Sequence, residues 1–87
     1  SEFSLNQNYP NPFNPTTLIS YQLPVASNIS LKVYNLLGQE VATIFEGMRQ
    51  PGNYYATFDA SKLTSGVYIC QLIANDFISS RKMMLSK

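Results

Sequence analysis

The sequence predicts an all-β fold, an immunoglobulin-like antiparallel β-sandwich of six or seven strands. Three observations lead there. Apolar and polar residues alternate with a period of two in run after run between Leu18 and Leu85. These runs recur about every 10 residues, the spacing of sandwich strands. Gly, Pro, Asn and Asp fill the gaps between them, and nothing carries the repeat of a long helix.

Before the first run lies Leu5-Asn6-Gln7-Asn8-Tyr9-Pro10-Asn11-Pro12-Phe13-Asn14-Pro15, with three prolines and four asparagines around two aromatics. Each proline fixes its own φ and lacks an N–H. Each also pushes the residue before it out of the helical region. The segment is therefore neither helix nor central strand, and its Tyr and Phe set it apart from a flexible linker. It reads as an ordered, extended strap, pinned by Tyr9 and Phe13, whose asparagine side chains close local turns. A short seventh strand is expected near the N-terminus.

Leu18–Leu23 puts Ile19, Tyr21 and Leu23 on one face. Ile29–Tyr34 is the cleanest run, with Ile29, Leu31 and Val33 inward. Asn35-Leu36-Leu37-Gly38 reads as a turn in which Gly38 takes positive φ. Glu40–Phe45 is a weaker strand, followed by a mobile connection from Glu46 to Gln50. Pro51-Gly52 fits the centre of a type II turn. Asn53–Asp59 sets Tyr54, Ala56 and Phe58 opposite Tyr55, Thr57 and Asp59. Asp59 is then expected to cap a single helical turn reaching Leu63. Gly66 opens the strand Val67–Ala74, Asn75-Asp76 sits at hairpin spacing, and Phe77–Leu85 closes the sheet. The expected core includes Ile29, Leu31, Val33, Phe58 and Val67. Met83 or Leu85 joins it, and Arg81 and Lys82 are left as solvated edge residues.

With 87 residues this is one small domain, able to bury one core but not a core plus a deep cleft. Ser1-Glu2-Phe3 looks like a cloning scar, so 1–4 is read as remnant or linker and 5–87 as the domain, a piece of a longer protein. Net charge is +1, and no basic patch favours nucleic acid. No apolar run is long enough to span a bilayer as a helix. The single cysteine, Cys70, excludes an internal disulfide.

The inventory argues against catalysis. There is no histidine, hence neither the commonest general base nor a partner to activate Cys70. Cys70 shares a face with Tyr68 and Leu72 and reads as a buried, inert thiol. Glu40 and Glu46 would stand about 20 Å apart on an extended strand, beyond the ~5–10 Å over which paired carboxylates hydrolyse glycosides. Asp59 and Asp76 lie in turns, and no calcium-loop pattern is present. No cofactor and no metal site is expected. Six Tyr and five Phe raise the reading of a carbohydrate platform, with Tyr34 and Tyr55 as its exposed rings, against the plainer reading of core and cross-strand aromatics.

Four stretches together resemble the C-terminal sorting domains of the bacterial type IX (Por) secretion system. The strap Asn6–Thr17 is similar to the family's Asn-Tyr-Pro-Asn-Pro-Phe-Asn-Pro-x-Thr opening, which marks the Asn-Pro-x-Asn-Pro strap type (type A). Val33–Val41 resembles its Val-Tyr-Asn-x-x-Gly turn, with Asn35 and Gly38 in place. Leu63–Tyr68 resembles its Leu-x-Ser-Gly-x-Tyr segment through Gly66 and Tyr68. Lys82-Met83-Met84-Leu85-Ser86-Lys87 is similar to its Lys, apolar triplet, polar, Lys ending. Phe58 stands where relatives frequently carry tryptophan.

The resemblance implies a non-catalytic address label of secreted proteins in Bacteroidota-like bacteria. Its expected partners are an N-terminal passenger covalently joined to it, the outer-membrane translocon and a sortase-like peptidase. The peptidase removes the label after export through the periplasm to the surface or medium, typically joining the passenger to an anionic lipopolysaccharide. Translocon recognition would fall on Lys82, Met83, Met84, Leu85 and Lys87. The structural motif would be Tyr9, Pro10, Asn11, Pro12, Phe13, Asn14, Pro15, Asn35, Gly38, Gly66 and Tyr68. The last strand would offer an edge or a side-chain row to a receptor. Two alternatives remain at this point: an immunoglobulin-like spacer or adhesion module, with a fold-level likeness to flagellar hook-capping domains, and a carbohydrate-binding accessory module of a larger enzyme.

Overall fold

A computed structural model describes residues 2–87. It contains seven strands and, among the described residues, no helix: β1 (Ser4–Leu5), β2 (Thr16–Leu23), β3 (Ser27–Asn35), β4 (Glu40–Arg49), β5 (Gly52–Asp59), β6 (Gly66–Ala74) and β7 (Phe77–Leu85). They form two antiparallel sheets, ordered β1-β2-β5 and β4-β3-β6-β7. β1 and β2 pair within one sheet across the strap of residues 6–15, β3–β4 and β6–β7 turn back as hairpins, and the other connections cross from one sheet to the other. The result is the immunoglobulin-like sandwich that the alternation requires. A strand with one apolar face must set that face against another sheet.

The inner faces supply the core. The smaller sheet contributes Leu5, Ile19, Tyr21, Leu23 and Phe58; the larger contributes Ile29, Leu31, Val33, Tyr68, Cys70, Leu72, Ala74, Met83 and Leu85. Val67 is only half-buried. Tyr68, Cys70, Leu72 and Ala74 take the inward positions of β6, so period-two geometry turns Val67 outward, where it pairs with Met84.

Other expectations are corrected by how the chain crosses between sheets. Residues 46–49 are not a mobile connection: β4 continues through Arg49, pairing Glu46 with Ser30 and Met48 with Asn28. Its two register shifts, beside Lys32 and Tyr34, broke the alternation that the sequence pattern depended on. Gly52 has φ +152°, not the roughly +80° of a type II turn, and already pairs with Leu23 in β5. The segment after Asp59 forms a tight turn closed by Leu63 N–H to the Ala60 carbonyl, not a helical turn. The Asp59 carboxylate does accept a backbone N–H there, from Ser61. Gly38 (φ +82°) and the Asn75 hairpin (φ +53°) take the left-handed conformations expected of them.

Arg49 closes the side of the sandwich where β4 and β5 lie. Its guanidinium lies 3.7 Å from the Phe45 ring centroid and 4.5 Å from that of Tyr54, which stacks on Tyr21 at 5.4 Å. Arg is suited to this position because its planar cation is weakly hydrated and favours aromatic faces.

Cys70 sits fully inside, and burial pushes its thiol from 9.0 up to about 12. The raised value favours the neutral folded form. Its stabilising effect is complete below pH 9 and is lost as pH rises toward 12, approaching ~4 kcal/mol over the full swing. Denaturant midpoints measured for wild type and Cys70→Ala should therefore converge between pH 9 and pH 12. Parallel curves would show that the thiol is hydrated.

Candidate recognition surface

The last strand splits its motif between two environments. Met83 and Leu85 are buried in the core, whereas Lys82 and Met84 point out from the larger sheet. There Lys82 pairs with Ile69, which in turn pairs with Tyr34, and Met84 pairs with Val67. Half-buried Tyr34, Val67 and Ile69 thus form an apolar patch around Lys82 and Met84, while Gln71, Ser80 and Lys32 continue the same outer face beyond it. Lys87 lies beyond the strand, its Nζ donating to the Ser61 carbonyl at 2.7 Å and its N–H to Ser65 Oγ. In the folded domain Lys82, Met84 and Lys87 are accessible to another molecule, and Met83 and Leu85 are not.

Nor is the lower half of the strand's edge free. The strap lies along it. Phe13 N–H donates to the Met84 carbonyl (2.9 Å), and Ser86 N–H donates to the Phe13 carbonyl (3.0 Å). Asn11 Oδ1 accepts Met84 N–H at 2.9 Å, and Gln7 Nε2 donates to the Lys82 carbonyl at 2.7 Å. Phe13 and Leu85 form a parallel bridge. The edge expected to be offered to a receptor is already occupied between Lys82 and Ser86. Above it Arg81 is exposed as expected, and its Nε also donates to the Leu5 carbonyl at 2.8 Å, tying β7 to β1.

Each strap residue has a different task. Phe13 is buried against Phe58, with ring centroids 6.2 Å apart. Tyr9 is not an anchor through its ring, which is 80% exposed. It bridges Leu18, an outward residue of β2, so its side chain points outward too, and its N–H and C=O make the attachment at 3.0 and 2.9 Å. Burial falls instead on Asn8. Its Nδ2 donates to the Pro10 carbonyl (3.1 Å) and to Thr17 Oγ1 (3.0 Å), and the Thr17 hydroxyl donates to the same carbonyl (2.8 Å). The Pro15 carbonyl accepts Ala60 N–H. Pro12 and Asn14 are exposed along the strap's outer side.

Two smaller motifs hold one end of the sandwich. Asn35 Oδ1 accepts the N–H groups of Leu37 (2.9 Å) and Gln39 (3.0 Å), and backbone bonds from Gly38 N–H to the Asn35 carbonyl and from Asn35 N–H to the Gln39 carbonyl complete the β3–β4 turn. Gly66, at φ +153° with open space where a Cβ would stand, starts β6. The buried Tyr68 then sends its hydroxyl back to the Thr64 carbonyl at 2.7 Å, pinning the segment before it.

The two carboxylates of β4 are closer than an extended strand would place them. Lys32 Nζ reaches Glu40 at 3.2 Å and Glu46 at 3.6 Å, because the bulges turn both side chains toward it. The Thr43 hydroxyl and the Lys32 ammonium hold the Glu40 carboxyl below its ordinary range, and Glu40 in turn raises Lys32. A general acid needs the opposite shift. This group is a surface ion network, and Tyr34 and Tyr55 stand on opposite faces of the sandwich, unable to share one flat ligand.

Compared with known families, residues 7–86 match the secretion system C-terminal sorting domain. The chain belongs to that family. The match runs from the strap into the terminal motif, the two stretches that the hydrogen bonds tie together. Among curated proteins none matches. The sorting domain carries the signal for export to the cell surface or medium, and the family is a non-catalytic one.

Sequence reasoning missed the roles of Gln7, Asn8 and Asn11. Asparagine near proline reads as local turn chemistry, which Asn8 partly fulfils. The Asn11 acceptor serves a backbone 73 positions away, and no local pattern encodes that.

Two substitutions test the clip. Phe13→Ala should cost about 3 kcal/mol, as for other buried rings, in urea unfolding at neutral pH; a cost under ~0.5 kcal/mol would mean an undocked strap. Asn8→Ala leaves buried acceptors short of a donor and should cost about 1–3 kcal/mol. Tyr9→Ala is the control and should change the midpoint little.

Proposed function

We propose that this domain is the type A address label of a passenger protein, spanning residues 5–87. It directs the passenger from the periplasm through the outer-membrane type IX translocon and is then removed by a sortase-like peptidase. The observation that carries this reading is the division of labour in Lys82–Lys87. Met83 and Leu85 fasten the strand, and the strap fastens its edge. Lys82 and Met84 are thereby held rigidly beside the apolar patch of Tyr34, Val67 and Ile69. Such preorganisation lowers the ordering cost of binding. A receptor surface with apolar character and a carboxylate for Lys82 fits that face. Lys87, at the end of the same motif, extends the contact. The label acts as ligand and substrate, not as catalyst.

Fusing Leu5–Lys87 behind a fluorescent protein bearing an export signal, in a type IX-competent host, tests this directly. Fluorescence should reach the surface or medium. With Lys82→Ala and Lys87→Ala together it should accumulate in the periplasm, while the thermal midpoint stays nearly unchanged because both sites are exposed. Undiminished secretion of the double variant would move recognition elsewhere on the sandwich.

A further inference from the structure

The strands that end each sheet are not equally protected. The lower half of β7 is covered by the strap. β4 is bulged twice and carries Glu40, Glu46 and Arg49, the features that discourage edge pairing. β5 has neither defence. Its residues 52–58 contain no charge and no proline, and it pairs with β2 without a register shift over Gly52–Asp59.

The outward backbone groups of β5 follow from the strap. Leu18 turns both its N–H and its C=O to Tyr9, and the Ser20 carbonyl accepts from Asn6. Alternation in an antiparallel ladder then turns Ile19 and Tyr21 toward β5, where they meet Ala56 and Tyr54. Asn53, Tyr55 and Thr57 are left with their N–H and C=O groups facing away from β2. No hydrogen bond engages these groups among the described residues. All three side chains are exposed on the sheet's outer face, Tyr55 by 69%.

We propose that this edge pairs with the same edge of a second copy of the chain, antiparallel about a two-fold axis through Tyr55. Each copy's Tyr55 faces its counterpart, and each Asn53 faces the other copy's Thr57. The outward groups of the three residues satisfy one another across the axis, and the two small sheets become one of six strands. Face parity is kept, since a residue meets a partner of the same face. Hydrogen-bonding self-complementarity favours this occupant: each of the three residues offers both a donor and an acceptor, no charges are opposed in this register, and a net charge of +1 gives the copies little mutual repulsion. The Tyr55 pair adds an aromatic contact at the centre of the seam. This pairing is independent of the export role proposed above.

The test uses the 87-residue chain. Sedimentation over rising concentration should show a monomer–dimer equilibrium. Tyr55→Lys opposes two ammonium groups and should raise the dimer dissociation constant at least about tenfold. Tyr55→Pro, which removes only an outward donor, should leave a folded monomer by circular dichroism. Should the proline unfold the domain, cysteine scanning decides. Cα atoms of a hydrogen-bonded pair stand ~5.5 Å apart, within reach of a disulfide. Tyr55→Cys should therefore cross-link to itself under mild oxidation. Thr57→Cys, ~13 Å from its counterpart along the strands, should not. Buried Cys70 leaves the background low. A monomer up to millimolar concentration, a dimer indifferent to Tyr55→Lys, or preferential cross-linking through position 57 would each overturn the proposal.

Discussion

The pairing of the strap with the last strand is the constraint on which the rest of the molecule depends. Two β-sheets packed face to face leave open sides, and the core is exposed at each. On one side β1 and the strap run between β2 and β7, bonding to both and inserting Phe13 into the gap. Proline suits this role. The strap must follow two sheets at once without joining either as a regular strand, so rigid, donor-poor residues cost little in main-chain bonding. The asparagines and Gln7 supply, from side chains, the hydrogen bonds that an irregular backbone cannot make for itself.

The opposite side is closed more lightly. Arg49 covers Phe45 and Tyr54 but leaves the β5 backbone uncovered. The domain is therefore asymmetric, with one locked flank and one exposed one. Its outer faces differ as well. The larger sheet displays Tyr34, Val67 and Ile69 around Lys82, and the smaller displays Tyr9, Leu18 and Tyr55 among uncharged polar residues.

Much of the fold was legible in the residues. The alternation of Ile29–Val33 and Ile19–Leu23 set faces correctly because both strands keep an unbroken ladder to a neighbour in their own sheet, β3 to β6 and β2 to β5. β4 resisted reading because its bulges insert residues that period-two reasoning cannot anticipate. Tyr9 misled for a different reason: a large ring beside proline suggests an anchor, but its orientation is set by Leu18, far enough along the chain to be invisible locally. The recognition motif was legible as a string and not as a surface. Only the folded strand separates Lys82 and Met84 from Met83 and Leu85.

The clip between Asn11 and Met84 joins positions 73 residues apart. On a ribosome adding about 5–20 residues per second, the strap emerges several seconds before the strand that completes it. During that interval Phe13 has no pocket, and the sandwich has one unsealed flank. Whatever precedes the domain in the chain therefore has time to fold first. The long sequence separation makes closure depend on loop entropy more than on local propensity, so the domain becomes whole only when its two extremities meet.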